Sequence, residues 1–374
     1  MTIYGIPVRP PCERKECENE FYWLLPAIVR PYTSVFPGTA PVSGQSRDRN
    51  RLLTIYGRSN HVGQRTGINM GCGCGKQMID VNGKKYTMKT KIGEGGFSTV
   101  YLVYGPNRQY YAVKCIICHS KEDERISMQE VEYYRALKHP NLVECLDAAL
   151  VGSCVGVRSA SEVRILLPYY KRGTLQDELM MRAKTNTYMP EERVLNLFRQ
   201  MCEGIQAIHS AKPFPLAHRD VKPANVLLGD DDRPVWMDFG SMGKARIELK
   251  KSADARALQD LAAEKCSMPY RAPELFHVES YSTVDERVDI WSLGCCLYAM
   301  CYFHSPFEPA YERGDSIALA VLNGNIELPE NSPYSSGLHG LIRCLLEVDA
   351  LQRPFIDGVI LQIDALLPIA QSWA

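Results

Sequence analysis

The sequence carries no net charge and contains no long apolar run. Lys+Arg and Asp+Glu both number 43 among its 374 residues, so no charge excess attracts the chain to nucleic acid, and we expect no nucleic-acid partner. The first apolar run, residues 21–29, is interrupted by Pro26. No segment reaches the roughly eighteen apolar residues of a membrane-spanning helix. These absences argue against a nucleic-acid-binding protein and against a protein that spans a membrane.

The cysteines show no disulfide or metal-binding pattern. All fourteen are scattered, and no charged-then-apolar leader precedes them, which predicts free thiols in a reducing, cytosolic compartment. Cys115 and Cys118 have the spacing of half a zinc knuckle, but no second Cys-x-x-Cys follows. We therefore interpret this pair as buried apolar residues and not as metal ligands.

The composition changes along the chain. Residues 1–69 are rich in Pro, Gly, Arg and Ser without periodicity, and we interpret them as a disordered or non-core extension. Residues 70–85 begin with the small, thiol-rich run MGCGCG and are a candidate acylation segment and linker. A folded domain is predicted from 86 to 367, followed by a tail at 368–374.

The predicted domain begins with strands and continues with helices. Strands are predicted at 86–92, 99–104 and 110–117, and a helix at 123–137. Beyond residue 168, apolar residues recur at helical spacing in 174–182, 190–209, 288–300, 316–322 and 337–347. This order predicts an α+β fold with a small sheet lobe and a larger helical lobe.

A glycine-rich turn, GEGGFSTV at 93–100, lies between the first two predicted strands. Glycines let a backbone bend sharply and approach phosphates. The turn precedes a strand and not a helix, which argues against a dinucleotide-binding Rossmann motif. Glycine-rich hairpins are common, so an ordinary turn remains the alternative for this motif by itself.

Lys114 lies within a predicted apolar strand, two residues after Ala112. It could be an edge lysine with its ammonium in solvent. It could also be a phosphate-holding cation fixed by a carboxylate of the next helix, where Glu130 and Glu132 are available.

Two motifs carry the strongest signal: HRDVKPAN at 218–225 and DFG at 238–240. Phosphoryl transfer needs a metal ion held by hard oxygen ligands, a base near the attacking hydroxyl and cations beside the developing charge. Asp220 suits the base, Asn225 and Asp238 suit the metal, and Lys222 suits the transferred phosphate.

Together these motifs resemble those of the protein kinase superfamily. The resemblance extends through APE at 272–274 and DIWSLG at 289–294. It implies a bilobal kinase fold with an N-lobe at 86–167, a hinge at 168–170 and a C-lobe at 171–367. ATP, Mg²⁺ and protein substrates follow from it, and its usual spacing favours Glu130, ten residues before Pro140, over Glu132.

The resemblance assigns further residues. Structural roles are implied for Arg219, Ser267, Glu274, Asp289 and Arg353. The residues implied to bind ATP are Ile92, Gly93, Glu94, Gly95, Gly96, Phe97, Ser98, Val100, Ala112, Lys114, Glu130, Leu167, Pro168, Tyr170 and Asp238.

Serine or threonine is the expected phosphate acceptor. Lys222 and Ser267 match the serine/threonine-kinase pattern, while a dual-specificity kinase is an alternative. A pseudokinase scaffold is another alternative, but it would lack at least one of the catalytic or metal residues, and all are present. A small-molecule kinase would not be expected to keep APE and the helix at Asp289.

Within the superfamily the chain resembles the Numb-associated kinase group. The similar stretches are 166–175, 237–242, 258–263, 270–276, 285–289 and 314–321. The interval between Gly240 and Arg271 leaves room for a helix around 255–263. An anionic group near Arg219 would order this segment, with Ser241, Ser252 and Tyr270 as candidates for phosphorylation and Glu248 or Asp254 as acidic substitutes.

Residues 70–76 resemble the N-terminus of an acylated member of that group. Gly71 would take myristate and Cys72 or Cys74 palmitate, and the two chains together would give a durable anchor. This requires translation to begin at Met70, because Gly71 is internal here, and Gly75 stands where Ser or Thr is preferred. A flexible Gly/Cys linker is the alternative. Acylation predicts a cytoplasmic protein peripheral on Golgi or other internal membranes; nothing in the sequence decides its oligomeric state.

Overall fold

The computed structural model describes residues 77–96, 98–154 and 160–371, and the statements below concern these residues. Residues 1–76, with the acylation candidates Gly71, Cys72 and Cys74, lie outside them, as does Phe97.

The N-terminal third of the described chain forms an antiparallel sheet. Its six strands lie in the order β1-β2-β3-β4-β6-β5. Their bounds are β1 Met78–Val81, β2 Lys84–Glu94, β3 Ser98–Tyr104, β4 Tyr110–Cys118, β5 Asp147–Gly152 and β6 Ser161–Pro168. Helix α1, Lys121–Ala136, connects β4 to β5 and packs against β4 and β6. Its apolar side, which includes Val131 and Tyr134, is fully buried.

Helix α1 begins two residues before the predicted helix because Ser120 caps it. The Ser120 hydroxyl accepts a hydrogen bond from Asp123 N at 3.0 Å, and the Asp123 carboxylate accepts one from Ser120 N at 3.1 Å. This reciprocal capping box satisfies backbone donors that a helix N-terminus otherwise leaves unpaired.

The sheet begins before the predicted domain boundary at residue 86. Strand β1 and the start of β2 fall within residues 70–85, which the sequence predicts to be a linker. Ile79 and Val81 are buried in an apolar cluster with Tyr86 and Val103, and Arg164 Nη1 donates to Asp80 O at 2.8 Å. A four-residue strand has too little periodicity to be recognised, so only its burial shows that it belongs to the sheet.

The rest of the described chain is mainly helical. The helices are α2 Leu175–Thr185, α3 Glu191–His209, α4 Ser252–Lys265, α5 Arg287–Tyr302, α6 Glu308–Glu312, α7 Ile317–Asn323, α8 Ser336–Leu345 and α9 Ile356–Gln371. Short strands pair between them: β7 Leu216–Ala217 with β10 Gly243–Lys244, β8 Val226–Leu228 with β9 Pro234–Trp236, and β11 Ile247–Glu248 with β12 Thr283–Val284. The predicted α+β architecture, a sheet lobe followed by a helical lobe, is confirmed.

Helix α5 is the centre of the helical lobe. Every residue from Val288 to Tyr302 is buried, as expected for a helix that is apolar all round. Helices α3 and α8 pack against it. Helix α9 continues to Gln371 with Ala370 buried, so part of the predicted tail at 368–374 is helical. None of the helices in the described ranges is long and apolar enough to cross a bilayer.

The predicted burial of the cysteine pair that resembles half a zinc knuckle is confirmed. Cys115 and Cys118 are free and buried, at the end of β4. They point to opposite faces of the strand, as neighbours three apart do. Cys115 lies in the apolar cluster that contains β1 and Cys118 in the main core.

Candidate active site

Lys114 connects three parts of the fold. It lies on β4, between β3 and β6, and its side chain is only 11% exposed. Its Nζ lies 2.8 Å from Glu130 Oε1 on α1 and 2.7 Å from Asp238 Oδ1. The structure therefore selects the buried cation over the solvent-facing edge lysine, and Glu130 over Glu132 as its partner on α1.

The charges of this cluster favour a permanently ionised lysine. Burial by itself would lower the pKa of Lys114, but the nearby carboxylates of Asp238 and Glu130 outweigh it and raise the pKa well above its usual value. The positive charge of Lys114 outweighs the effect of burial on Asp238 and lowers the pKa of that carboxyl to about 2. The cluster thus presents a fixed cation beside an ionised carboxylate.

Asp220 lies in a second polar cluster, in the loop between β7 and β8. Its Oδ1 accepts hydrogen bonds from Ser267 N at 3.1 Å and Ser267 Oγ at 2.7 Å. Its Oδ2 lies 2.9 Å from Asn225 Nδ2 and 2.8 Å from Lys222 Nζ. Lys222 Nζ also donates to Ser267 Oγ at 2.7 Å. The carboxylate is therefore fixed in orientation by a lysine, an amide and a hydroxyl.

The Asp289 carboxylate on α5 holds the backbone of the loop between β7 and β8. This fully buried carboxylate accepts hydrogen bonds from His218 N at 2.7 Å and Arg219 N at 2.9 Å, and lies 3.0 Å from His209 Nε2. Although burial would raise the pKa of Asp289, the hydrogen bond from His209 and those from the loop backbone hold it below its usual value. Arg219 needs this support because its φ of 65° lies in the left-handed region.

Asn225 and Asp238 supply oxygen atoms that fit a divalent cation. Asn225 Nδ2 donates to the carbonyl and the carboxylate of Asp220, which leaves its amide oxygen for another partner. The Asp238 side chain is 46% exposed and bonded on one oxygen by Lys114. Hard oxygen donors of this kind suit Mg²⁺, whose remaining ligands are usually water and phosphate. Among the described residues, no group of three His, Cys, Asp or Glu forms another metal site.

Most of the residues predicted to bind ATP lie on strands β2, β3, β4 and β6 or in the turns that follow them. Ala112 and Leu167 are adjacent in the β4–β6 register and buried, and Val100 lies opposite Lys114. Gly95 N donates to Ser98 O at 2.8 Å, which closes the glycine-rich turn. Gly93 and Glu94 end β2, where Ile92 is partly exposed; Gly96 lies in the turn, Pro168 ends β6 and Tyr170 follows it.

The segment between Asp238 and Glu274 contains helix α4 at Ser252–Lys265, longer than the helix expected around 255–263. Glu248 and Asp254 pair with Lys250 and Lys251, while Arg219 Nη2 donates to Lys244 O. The segment ends where Arg353, fully buried, makes a two-pronged ion pair with Glu274 at 2.9 and 2.5 Å.

Sequence reasoning missed two residues of the site. His209 lies at the end of α3 and contacts Asp289; a lone histidine at a helix end carries no signal in the sequence. Tyr134 lies one helical turn after Glu130, and its hydroxyl accepts a hydrogen bond from Asp238 N at 3.2 Å. An aromatic residue four positions after Glu130 was the available signal, but it is equally typical of a helix packed on a core.

The protein kinase domain profile matches residues 86–362. The chain belongs to the protein kinase family. The kinase is 42% identical over 301 residues to serine/threonine-protein kinase 16 of Rattus norvegicus and to that of Homo sapiens, covering 80% of this chain and 96% of each relative. It is 32% identical over 319 residues to serine/threonine-protein kinase ppk13 of Schizosaccharomyces pombe, covering 77% of this chain and 92% of the relative.

These similarities establish the enzyme class of the protein. The predicted enzyme, a serine/threonine protein kinase, is confirmed by the family and by these relatives. Members of the protein kinase family use ATP and a divalent metal ion and act on proteins.

Proposed function

We propose that this kinase transfers the γ-phosphoryl group of ATP to serine and threonine hydroxyls of proteins, with Asp220 as the base and with Mg²⁺ held by Asn225 and Asp238. The observation that carries the proposal is the pair of clusters around Lys114 and Asp220. One presents a fixed cation beside an ionised carboxylate, and the other presents an oriented carboxylate beside a second lysine.

The chain's own residues divide the work. Lys114 positions the phosphates of the nucleotide, and Lys222 lies beside the transferred group, where negative charge is delocalised over three oxygens. Asp220 orients the acceptor hydroxyl and takes its proton as the new O–P bond forms. The bond between the γ-phosphorus and the bridging oxygen breaks in the same step, and ADP leaves. A bound Mg²⁺ supplies charge neutralisation for the phosphates. Because Ser267 and Asn225 already fix the Asp220 carboxylate, little reorganisation is needed during transfer.

The preference for serine and threonine rests on Lys222 and Ser267. The hydrogen bond from Lys222 Nζ to Ser267 Oγ, at 2.7 Å, connects the loop that contains Asp220 to the segment before Glu274. A dual-specificity kinase would also form phosphotyrosine, whereas a pseudokinase would form no phosphorylated product.

Transfer of labelled phosphate from ATP to a peptide library, followed by analysis of the phosphorylated amino acids, tests this proposal. We expect phosphoserine and phosphothreonine from the wild type. Asp220→Asn should still bind ATP but should lose about a hundredfold or more in turnover. Phosphotyrosine in a comparable amount would support dual specificity, and no transfer by the purified wild type would support the scaffold.

We also propose that the kinase belongs to the Numb-associated group. The stretches at 166–175, 237–242 and 314–321 support this placement, and so does helix α4 inside the segment between Asp238 and Glu274. A tree of kinase domains from all major groups tests it, and a position among another group's members would contradict it.

The membrane proposal rests on residues 70–76 alone. Translation from Met70 would expose Gly71 for myristate and place Cys72 and Cys74 beside it for palmitate, anchoring the kinase to Golgi or other internal membranes. Intact-mass measurement of the endogenous protein should give an N-terminus at Gly71 with added acyl mass. A Gly71→Ala variant expressed from Met70 should move to the soluble fraction. A mature N-terminus at Met1 or Thr2 without acyl mass would contradict the proposal.

A further inference from the structure

Tyr134 closes a ring of contacts around the Lys114 cluster. Its hydroxyl oxygen accepts a hydrogen bond from Asp238 N at 3.2 Å, and Tyr134 lies one helical turn after Glu130 on α1. Glu130 and the Asp238 side chain both contact Lys114. Helix α1 therefore contacts the Lys114 ammonium through Glu130 and the Asp238 backbone through Tyr134.

The aromatic ring of Tyr134 makes a separate contact. It stacks on Phe239 with centroids 4.4 Å apart and planes 28° apart, and Tyr134 and Phe239 are both fully buried. Burial raises the pKa of Tyr134 well above its usual value, so the phenol keeps its proton. One side chain thus provides a packing contact through its ring and a polar contact through its hydroxyl.

The backbone conformation of Asp238 requires stabilising contacts. Its φ of 63° lies in the left-handed region, which costs free energy for a residue with a Cβ. Its side chain is held on one oxygen by Lys114, and 46% of that side chain is exposed. The hydrogen bond to Tyr134 is the contact that α1 makes with the backbone N–H of this strained residue.

We infer that the Tyr134 hydroxyl is a positioning group, which couples helix α1 to the metal-binding geometry of Asp238. The inference rests on the proposed role of Asp238 as a metal ligand. Because Glu130 and Tyr134 lie one turn apart on α1, the helix fixes the Lys114 ion pair and the Asp238 backbone together. A shift of α1 would disturb both at once.

Tyr134→Phe removes the hydroxyl and keeps the stacked ring, so it separates the two contacts. Tyr133→Phe is the matched control on the same helix, because the Tyr133 phenol makes no hydrogen bond within the described part of the chain. We would measure the dissociation constant of a non-hydrolysable ATP analogue by calorimetry, with Mg²⁺ and with a chelator. The gain in affinity that Mg²⁺ gives is the quantity of interest.

We expect Tyr134→Phe to reduce that gain about threefold to tenfold, the usual effect of one lost hydrogen bond, while its metal-free affinity and melting temperature stay near those of the wild type. Tyr133→Phe should match the wild type throughout. Turnover of Tyr134→Phe should require a correspondingly higher Mg²⁺ concentration.

An unchanged Mg²⁺ gain in Tyr134→Phe would overturn the inference. So would an equal loss of metal-free affinity, because the hydroxyl would then support the nucleotide pocket as a whole. If the wild type itself binds the nucleotide but transfers no phosphate, the proposed function fails, while the Mg²⁺ gain still tests the inference separately.

Discussion

Two buried ion pairs of this kinase, Lys114 with Glu130 and Arg353 with Glu274, are built differently. Lys114 is shared between carboxylates of two elements, and the second of them, Asp238, is 46% exposed. Arg353 is fully buried and makes five hydrogen bonds, two to Glu274 and three to backbone carbonyls. The ring of Trp291 lies beside its guanidinium, at 5.4 Å from the centroid.

The difference distinguishes an ion pair that can accept a further ligand, that of Lys114, from a purely structural brace, that of Arg353. All five hydrogen bonds of the Arg353 guanidinium are made to protein atoms. This pair can therefore hold structural elements together, but it has no donor available for a ligand. Lys114 has a compact ammonium with three donor directions, and the structure fills two of them with carboxylates. A phosphate oxygen can approach the Lys114 cluster from its exposed side without breaking the fold.

The largest effect should come from Arg353→Leu, which leaves Glu274 without its cation. We expect the free energy of unfolding to fall by about 3–5 kcal/mol, measured by denaturant titration. Arg313→Leu is the control, because its pair with Asp315 is exposed on both sides, and such pairs contribute about 1 kcal/mol or less. A similar, small loss in both variants would remove the distinction between brace and surface pair.

Lys114→Met should reduce activity strongly and stability only slightly. Activity should fall about a hundredfold to a thousandfold, as when one preorganised group that stabilises the transition state is removed, while the melting temperature changes much less than in Arg353→Leu. Lys84→Met is the control on the same sheet, since Lys84 is 66% exposed and reaches Asp147 only at 3.9 Å. Residual activity above half in purified Lys114→Met would contradict the role of Lys114.

A smaller effect is expected from Ser267→Ala. The variant removes the hydroxyl that bonds Asp220 and Lys222 but keeps the Ser267 N–H bond to Asp220. Turnover should fall about tenfold, which corresponds to one hydrogen bond to a charged group, with little change in affinity for ATP. Ser282→Ala, which removes an exposed hydroxyl bonded to the nearby Glu279 O, should behave as the wild type. Equal turnover in both variants would show that the hydroxyl does not position Asp220.

The smallest expected effect is a pH dependence that belongs to the Lys114 cluster. Because the folded-state pKa of Asp238 is lowered to about 2 from 3.8, its ionised form stabilises the fold above about pH 4. That stabilisation is lost as pH falls through the folded-state pKa. The difference in unfolding free energy between wild type and Asp238→Asn should therefore shrink as the solution is acidified below pH 4. A difference that grows on acidification would contradict the sign.

Several elements could be predicted from the sequence because their signals are local. The bounds of β3, α3 and α5 lie within two residues of those predicted, since alternation, helical spacing and turn residues mark them. Strand β1 could not be predicted, because its four residues become a strand only by pairing with β2. The start of α1 was misplaced because its capping box lies before its first apolar residue.

The motifs of this chain are sufficient to predict the class of reaction. Protein kinases share a few residue types in a fixed order along the chain, so the HRDVKPAN and DFG motifs predict a kinase before any contact is known. The contacts between distant groups are visible in the folded chain alone: Lys114 with Asp238, 124 positions apart, Asp289 with His209, and the Tyr134 hydroxyl with the Asp238 backbone. A motif constrains neighbours along the chain, whereas these contacts depend on how α1, α3 and α5 pack, and packing is fixed by the whole core.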